Sequence, residues 1–239
     1  MSMAPPATAP APRILIVGSS DGIGLGTAGR LAGQGWQVMG ISRSPSPLEH
    51  ATYHHQVLDV QSPDYRARLA ALVAQHGPFD ACLYCAGVGA ACDLSQLDAD
   101  LCVFQVNLMA AVQTAAELLP SMVQARRGHF VVLSSQADGL ITPDAPSYAA
   151  SKAALSSYFE ALALAARPSG VRVTNIRFGF VDTKMAKAPV RPFLRSVDWA
   201  VDVVVRALRK DAIRVTRPRR LVPLLGLLRW ITDWRIRFT

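Results

Sequence analysis

The chain has 239 residues, 51% of them hydrophobic, with a mean hydropathy of +0.23 and a formal charge of +8, enough to bury one large α/β domain or two small ones. Four cysteines make no disulfide framework, and five scattered histidines, only His54 and His55 adjacent, offer neither a metal cluster nor a nucleophile–histidine dyad, so no metal site is expected. The basicity belongs to the end of the chain: residues 167–239 carry 17 Lys and Arg against 5 Asp and Glu, whereas residues 1–166 carry 8 against 12. No aromatic-interleaved basic motif accompanies it, which argues against a nucleic-acid partner.

Residues 1–12 are rich in Ala and Pro and lack the charged and apolar regions of a secretory signal, so they read as a disordered leader. No apolar run approaches the roughly 20 residues of a membrane span. The fold starts at residues 13–17, an apolar strand, followed by a turn carrying Gly18, Gly22 and Gly24 and a helical run to about Gln34. Strand, glycine-rich turn and helix is the setting of a dinucleotide site, because the glycines admit the backbone to a pyrophosphate and the helix N-terminus offers free N–H groups. The same glycines would also serve a merely tight turn.

A second strand over 37–41 ends at Ser42 and Arg43, where an acidic residue would bind the ribose hydroxyls of NAD. An arginine there suits a 2′-phosphate and favours NADP(H) over NAD(H), the alternative being a surface arginine after a strand. A third strand is expected over 55–58, ending at Asp59, then a helix over 62–76 and a fourth strand over 80–85 running into Ala86 and Gly87. Asp59 could meet the adenine amine and Ala86-Gly87 could let a cofactor approach; each could equally be a loop cap or a turn. Cys82 and Cys85 fall within this strand on opposite faces, as core cysteines of a reducing cytosol, and a cytoplasmic location is expected. A long helix over 98–122 contains Asn107, a poor helix former that invites a reason.

The chemistry is concentrated beyond the next strand, 130–133, which delivers Ser134 and Ser135 to its C-terminal end. Tyr148 and Lys152 follow, four residues apart at the head of an Ala-rich helix, so both side chains share one face. A tyrosine beside a lysine cation is drawn toward working pH as an acid/base, and Ser135 can hydrogen-bond the same substrate oxygen. A packed tyrosine and a solvated lysine would have the same spacing. A sixth strand over 171–176 leads to Phe178, Gly179, Val181 and Thr183. Alternating strands and helices predict a doubly wound parallel sheet, a three-layer α/β/α Rossmann fold over 13–216.

In order, Gly18/Gly22/Gly24, Asp59, Ala86-Gly87, Asn107, Ser135, Tyr148/Lys152 and Val181/Thr183 resemble the short-chain dehydrogenase/reductase family in its compact single-domain form. The resemblance implies an oxidoreductase moving a hydride between NADP(H) and a small-molecule carbonyl or secondary alcohol, a carbonyl reductase in one direction. In it Tyr148 is the general acid/base, Lys152 tunes it and holds the nicotinamide ribose, Ser135 binds the substrate oxygen, and Asn107 holds a water linked to Lys152. The cofactor would lie against Gly18, Ser20, Gly22, Ile23 and Gly24, then Ser42 and Arg43, Asp59 and Val60, Ala86 and Gly87, Tyr148 and Lys152, and finally Gly179, Val181 and Thr183. A homodimer or homotetramer is implied by analogy. The alternative is a dinucleotide-binding regulatory or scaffold protein on the same fold.

Three departures stand out. Phe178 occupies the place of a family proline against the nicotinamide, and Cys85 that of an asparagine before Ala86-Gly87. The third is the tail, 217–239, with a leucine- and tryptophan-containing run set among six arginines and expected to be helical after Pro223. It suits either an interfacial anchor on an anionic membrane surface or a segment packed on the domain or across an oligomer interface, and the packed reading is favoured. Lys184, Lys187, Arg191 and Arg195 make the loop after Thr183 basic and suggest an acidic or carrier-linked acyl substrate.

Overall fold

The computed structural model describes residues 10–185 and 190–238. Seven strands form one parallel sheet in the order β3-β2-β1-β4-β5-β6-β7: β1 (Arg13–Val17), β2 (Gln37–Ser42), β3 (Tyr53–Val57), β4 (Ala81–Tyr84), β5 (Gly128–Ser135), β6 (Val171–Phe178) and β7 (Arg214–Arg217). The helices are α1 (Gly22–Ala32), α2 (Tyr65–His76), α3 (Asp98–Phe104), α4 (Ala110–Gln124), α5 (Pro146–Ala166), α6 (Val197–Leu208) and α7 (Val222–Phe238). This is the doubly wound Rossmann arrangement expected, and its strand order turns back between β1 and β4, where such sheets open a crevice.

Strand alternation sorts the core into two layers. Leu15, Val17, Cys82 and Phe130 face one side, with Leu69 and Leu72 of α2, Leu118 of α4 and Leu155 and Phe159 of α5. Ile14, Ile16, Leu83 and Val131 face the other, with Ala28 and Leu31 of α1 and Val201 and Val204 of α6. Cys82 joins the first layer and Cys85 packs against the second, the opposite placement that alternation predicts.

Several elements depart from the sequence reading. The third strand begins at Tyr53 and ends at Val57, earlier than 55–58, because Leu58 and Val60 leave the strand to enter the core beneath α2. The long helix is interrupted by a π-helical turn over Gln105–Met109. Asp98–Gln124 is apolar and long enough to cross a bilayer by composition alone, yet it is a core helix, with Val103, Val106, Ala111 and Leu118 buried. β7 is a further edge strand whose arginines and threonine give no apolar run, and it carries the sheet one residue past 216. Phe178 turns into the second layer, tilted on Trp199 with ring centroids 6.0 Å apart. Of the leader, residues 1–9 lie outside the described residues.

Candidate active site

The β1–α1 turn and the β4 exit interlock. Gly18 has φ +90°, and a Cβ there would lie 2.6 Å from the Ala86 amide nitrogen. A Cβ on Gly24 would sit 1.9 Å from the Gly18 carbonyl oxygen and 2.7 Å from Cys85 Sγ. Only glycine fits either place, so the turn can stay flat against the sheet edge. Val17 O accepts both the Cys85 and Ala86 amides at 2.9 Å, and the Cys85 thiol donates to Val17 O at 3.0 Å. Cys85 therefore ties the turn together where an asparagine was expected, and burial pushes its thiol up to about 12, so it acts as a neutral donor.

Around this turn stand the other predicted cofactor positions. Ser20 and Ile23 are half-buried at the head of α1, whose cap is Asp21, its Oδ1 accepting from the Gly22 amide at 2.8 Å. Gly18 N donates to Ile41 O at 2.7 Å, which sets Ser42 and Arg43 beside the turn. Ser42 is buried and engaged, its Oγ donating to Ser44 O at 2.9 Å and lying 2.7 Å from His55 Nε2, whereas Arg43 is exposed. Asp59 Oδ1 accepts from the Gln61 amide at 3.0 Å, the loop-cap role left open above, and Val60 is buried in the core. Gly179 donates to Arg217 O at 2.8 Å, and Val181 pairs with Arg195 in a short parallel bridge. A Cβ on Gly22 would be 3.4 Å from Thr183 Cγ2, so the 181–183 segment closes on the glycine turn. A narrow cradle of small residues at the head of α1 fits a dinucleotide.

The four expected chemical residues gather at the C-terminal ends of β4 and β5. Pro146 starts α5, and Lys152, one turn on from Tyr148, sets its Nζ 5.9 Å from the Tyr148 ring centroid. Lys152 is buried and donates from Nζ to Leu133 O at 2.9 Å. Burial lowers its pKa to about 8, against the pull of Cys85 and Asp138 in the other direction. Tyr148 is half-buried, and its pKa is raised: burial dominates, a hydrogen bond with Ser135 opposes it, and the Asp138 charge adds to it. The sequence reading had Lys152 drawing Tyr148 down. In the structure the lysine's proton is directed to a backbone carbonyl, and desolvation outweighs it.

Ser135 and not Ser134 stands at the tyrosine. Ser134 Oγ donates to Lys152 O at 3.1 Å and lies 2.8 Å from Ser156 Oγ, fastening β5 to α5. Asn107 is fully buried in the π turn. Its Oδ1 accepts from the Val88 amide at 2.9 Å, while Nδ2 donates to Val88 O at 2.9 Å and Ser151 Oγ at 3.0 Å. The side chain thus splints the 86–88 turn to α5. A Cβ on Gly87 would lie 3.4 Å from Asn107 Oδ1 and 3.7 Å from Lys152 Nζ, which brings that turn into the site.

Sequence reasoning missed Ser151, whose Oγ donates to Tyr148 O at 2.8 Å and receives Asn107; its place inside Tyr148–Lys152 was the available signal. It also missed Asp138, nearly buried and paired with Arg177 of β6, with Nε to Oδ2 at 2.5 Å. Ser156 adds a bond to Asp138 at 2.6 Å. No local pattern announces that pair. The basic loop is largely engaged within the protein: Lys184 pairs with Asp21 at 2.7 Å, Arg191 with Asp182 at 3.7 Å, and Arg195 lies 5.5 Å over the Trp199 ring. Lys187 lies outside the described residues. Among the described residues, no group of three or more His, Cys, Asp or Glu is placed to hold a metal ion.

The family model for short chain dehydrogenases matches residues 12–191. A Myxococcus xanthus protein described as an uncharacterized oxidoreductase is 32% identical over 222 residues, covering 87% of each chain. A 3-ketodihydrosphingosine reductase of Bacteroides thetaiotaomicron is 33% identical over 173 residues, 71% of this chain and 64% of that protein's length. Among solved structures, a short chain dehydrogenase from Burkholderia cenocepacia in complex with NADP superposes with a TM-score of 0.82 at 20% identity, over 95% of this chain and 97% of that one.

Proposed function

The chain belongs to the short-chain dehydrogenase/reductase family, an oxidoreductase family, and on that footing we propose that it is an NADP(H)-dependent reductase of ketone carbonyls, or the reverse alcohol dehydrogenase. The observation that carries the reading is the convergence of Ser135, Tyr148 and Lys152 beside the glycine cradle, with Tyr148 kept protonated at neutral pH. NADP(H) bound in the cradle supplies the hydride. Ser135 and Tyr148 hydrogen-bond the substrate oxygen, and Tyr148 gives it a proton as negative charge develops there. Lys152, with one N–H committed to Leu133 O, has donors left for ribose hydroxyls.

The preference for NADP(H) rests on exposed Arg43 at the end of β2 with no acidic residue beside it in sequence. The substrate class rests on the half-buried Tyr148 next to Gly89, whose Cβ would lie 3.7 Å from Tyr148 Cδ2, and on the 3-keto lipid acted on by the Bacteroides relative. The relative favours an apolar ketone or 3-oxoacyl compound, with Gly89 leaving room for it beside the tyrosine. Exposed Leu101, Met109, Tyr158 and Leu164 on α3–α5 and the turn between them support a homo-oligomer, which light scattering would read. The test of function is NADPH oxidation against ketones, diketones, steroids and 3-oxo lipids, with NADH in parallel. Turnover on at least one ketone and an NADPH preference that falls about tenfold or more in Arg43→Ala are expected. Tight NADPH binding with no turnover on the whole panel would count for a regulatory protein instead.

A further inference from the structure

The tail was expected to pack its leucines and Trp230 on the domain or across an oligomer interface. It does not bury them on the domain. α7 runs from Val222 to Phe238, and none of its described residues is buried. At 3.6 residues per turn, Leu224, Leu227, Leu228, Ile231, Trp234 and Phe238 recur at spacings of three and four and line one side. Every one is exposed, from 41% for Ile231 to 74% for Phe238. The opposite side, Leu225, Arg229, Thr232 and Asp233, is the half-buried one, and Arg229 Nε pairs there with Asp233 at 2.9 Å.

A surface helix of a globular protein ordinarily turns its apolar stripe inward. α6 in this same chain does so, with Val201, Val204 and Leu208 buried while Asp202 and Arg206 stand outside. α7 therefore turns the side bearing Leu225, Arg229 and Asp233 toward the protein and its leucine–tryptophan stripe to the surroundings, with Val222 and Ile236 also exposed off the stripe. Its root is firmly set: Leu221 is buried, Gln136 Nε2 donates to Pro218 O at 3.0 Å, and the helix leans on the 136–139 turn that follows Ser135.

We propose that α7 is a membrane-binding helix that lies in the interface of an anionic bilayer with its leucine–tryptophan stripe in the acyl region. Charge selects this occupant over a second copy of the chain. Arg217, Arg219, Arg220, Arg229, Arg235 and Arg237 accompany a single acid, Asp233, over 217–239. Two copies meeting on this helix would bring like charges together, whereas an anionic headgroup layer complements them. Arg237 borders the stripe and Arg235 stands within it near the C-terminal end of the helix, where long cationic side chains reach headgroups while their stems cover apolar surface. Trp230, 65% exposed at the stripe's edge, suits the headgroup level.

The experiment is flotation of the full-length protein with vesicles of phosphatidylcholine alone and with about 30% phosphatidylglycerol, read with tryptophan emission. The protein is expected to float with the anionic vesicles and blue-shift, and to stay behind with the neutral ones. Leu227→Asp/Trp234→Asp should reduce the floated fraction at least tenfold, and so should Arg219→Glu/Arg220→Glu, which leaves the stripe intact. All four positions are exposed, so both variants should melt within a few degrees of the parent. Failure of the parent to float on anionic vesicles would overturn the proposal. So would a concentration-dependent dimer that Leu227→Asp/Trp234→Asp dissolves without any vesicle binding by the parent, since α7 would then be a self-association contact.

Discussion

Replacing Asn107 tests whether its amide splints the site or merely fills space. Asn107→Ala removes three hydrogen bonds at once, to Val88 N, Val88 O and Ser151 Oγ. The Val88 groups are partly buried, so stranding each costs about 1–2 kcal/mol, and the bond to Ser151 adds about 1 kcal/mol. A loss of about 3–5 kcal/mol follows, or a fall in Tm of about 6–20 °C for a chain of this size. Asn107→Asp separates the donor from the acceptor. It keeps an oxygen for the Val88 amide and sets a second against Val88 O, so at pH 7 it should be at least as damaging as alanine. Protonation restores a donor, and relative to the parent the aspartate variant should recover as pH falls toward 4 while the alanine variant does not. Urea unfolding of the three proteins from pH 4 to pH 8 reads both effects. A loss under 1 kcal/mol in Asn107→Ala, with parallel pH curves, would show that the 86–88 turn is held by other means.

Gly24→Ala should abolish NADPH binding and lower stability, because its Cβ has only 1.9 Å to the Gly18 carbonyl oxygen; near-parental affinity by fluorescence titration would refute the cradle. His129 is buried between Thr174 and Leu208, and its pKa is lowered to about 4 by burial first and then the Arg172 charge. The unfolded chain then binds the extra proton between the ordinary histidine value near 6.5 and about 4, so stability is full above that window and falls by on the order of 3 kcal/mol as pH drops through it. His129→Asn should flatten that part of the denaturation profile, and an unchanged slope would contradict the assignment. Asp138→Asn removes a charge that raises Tyr148, so the pH at which the rate of the proposed reduction declines should move down. It also leaves Arg177, with 19% of its side chain exposed, without its partner, costing about 3 kcal/mol. An unmoved pH profile would mean that Asp138 is too well screened to reach the tyrosine.

Much of this was legible in the sequence because the features are local. β1, β2, β4 and β5 are apolar runs, the glycines are forced by close approach at the turn, and Tyr148 and Lys152 share a face through helix geometry alone. Other features depend on contacts between distant segments. β7 is an edge strand of arginines and threonine, so no burial pattern marks it. The π turn at Asn107 changes hydrogen-bond register without changing composition. Asp138 and Arg177 are 39 residues apart, and the direction of the Tyr148 pKa follows from burial that spacing does not reveal. α7 was legible as a helix, but which of its sides meets the protein is a property of the packed molecule.

The central claim, that Tyr148 is the proton donor beside a dinucleotide cradle, is tested most directly by Tyr148→Phe, with NADPH affinity and steady-state turnover measured on the same preparation. The phenylalanine keeps the ring and removes only the hydroxyl. Turnover should fall by about 10²–10⁴-fold, the usual contribution of a positioned acid, while NADPH affinity stays within about threefold, under 1 kcal/mol. Turnover preserved within a few-fold of the parent would contradict the account and move the proton transfer to another group.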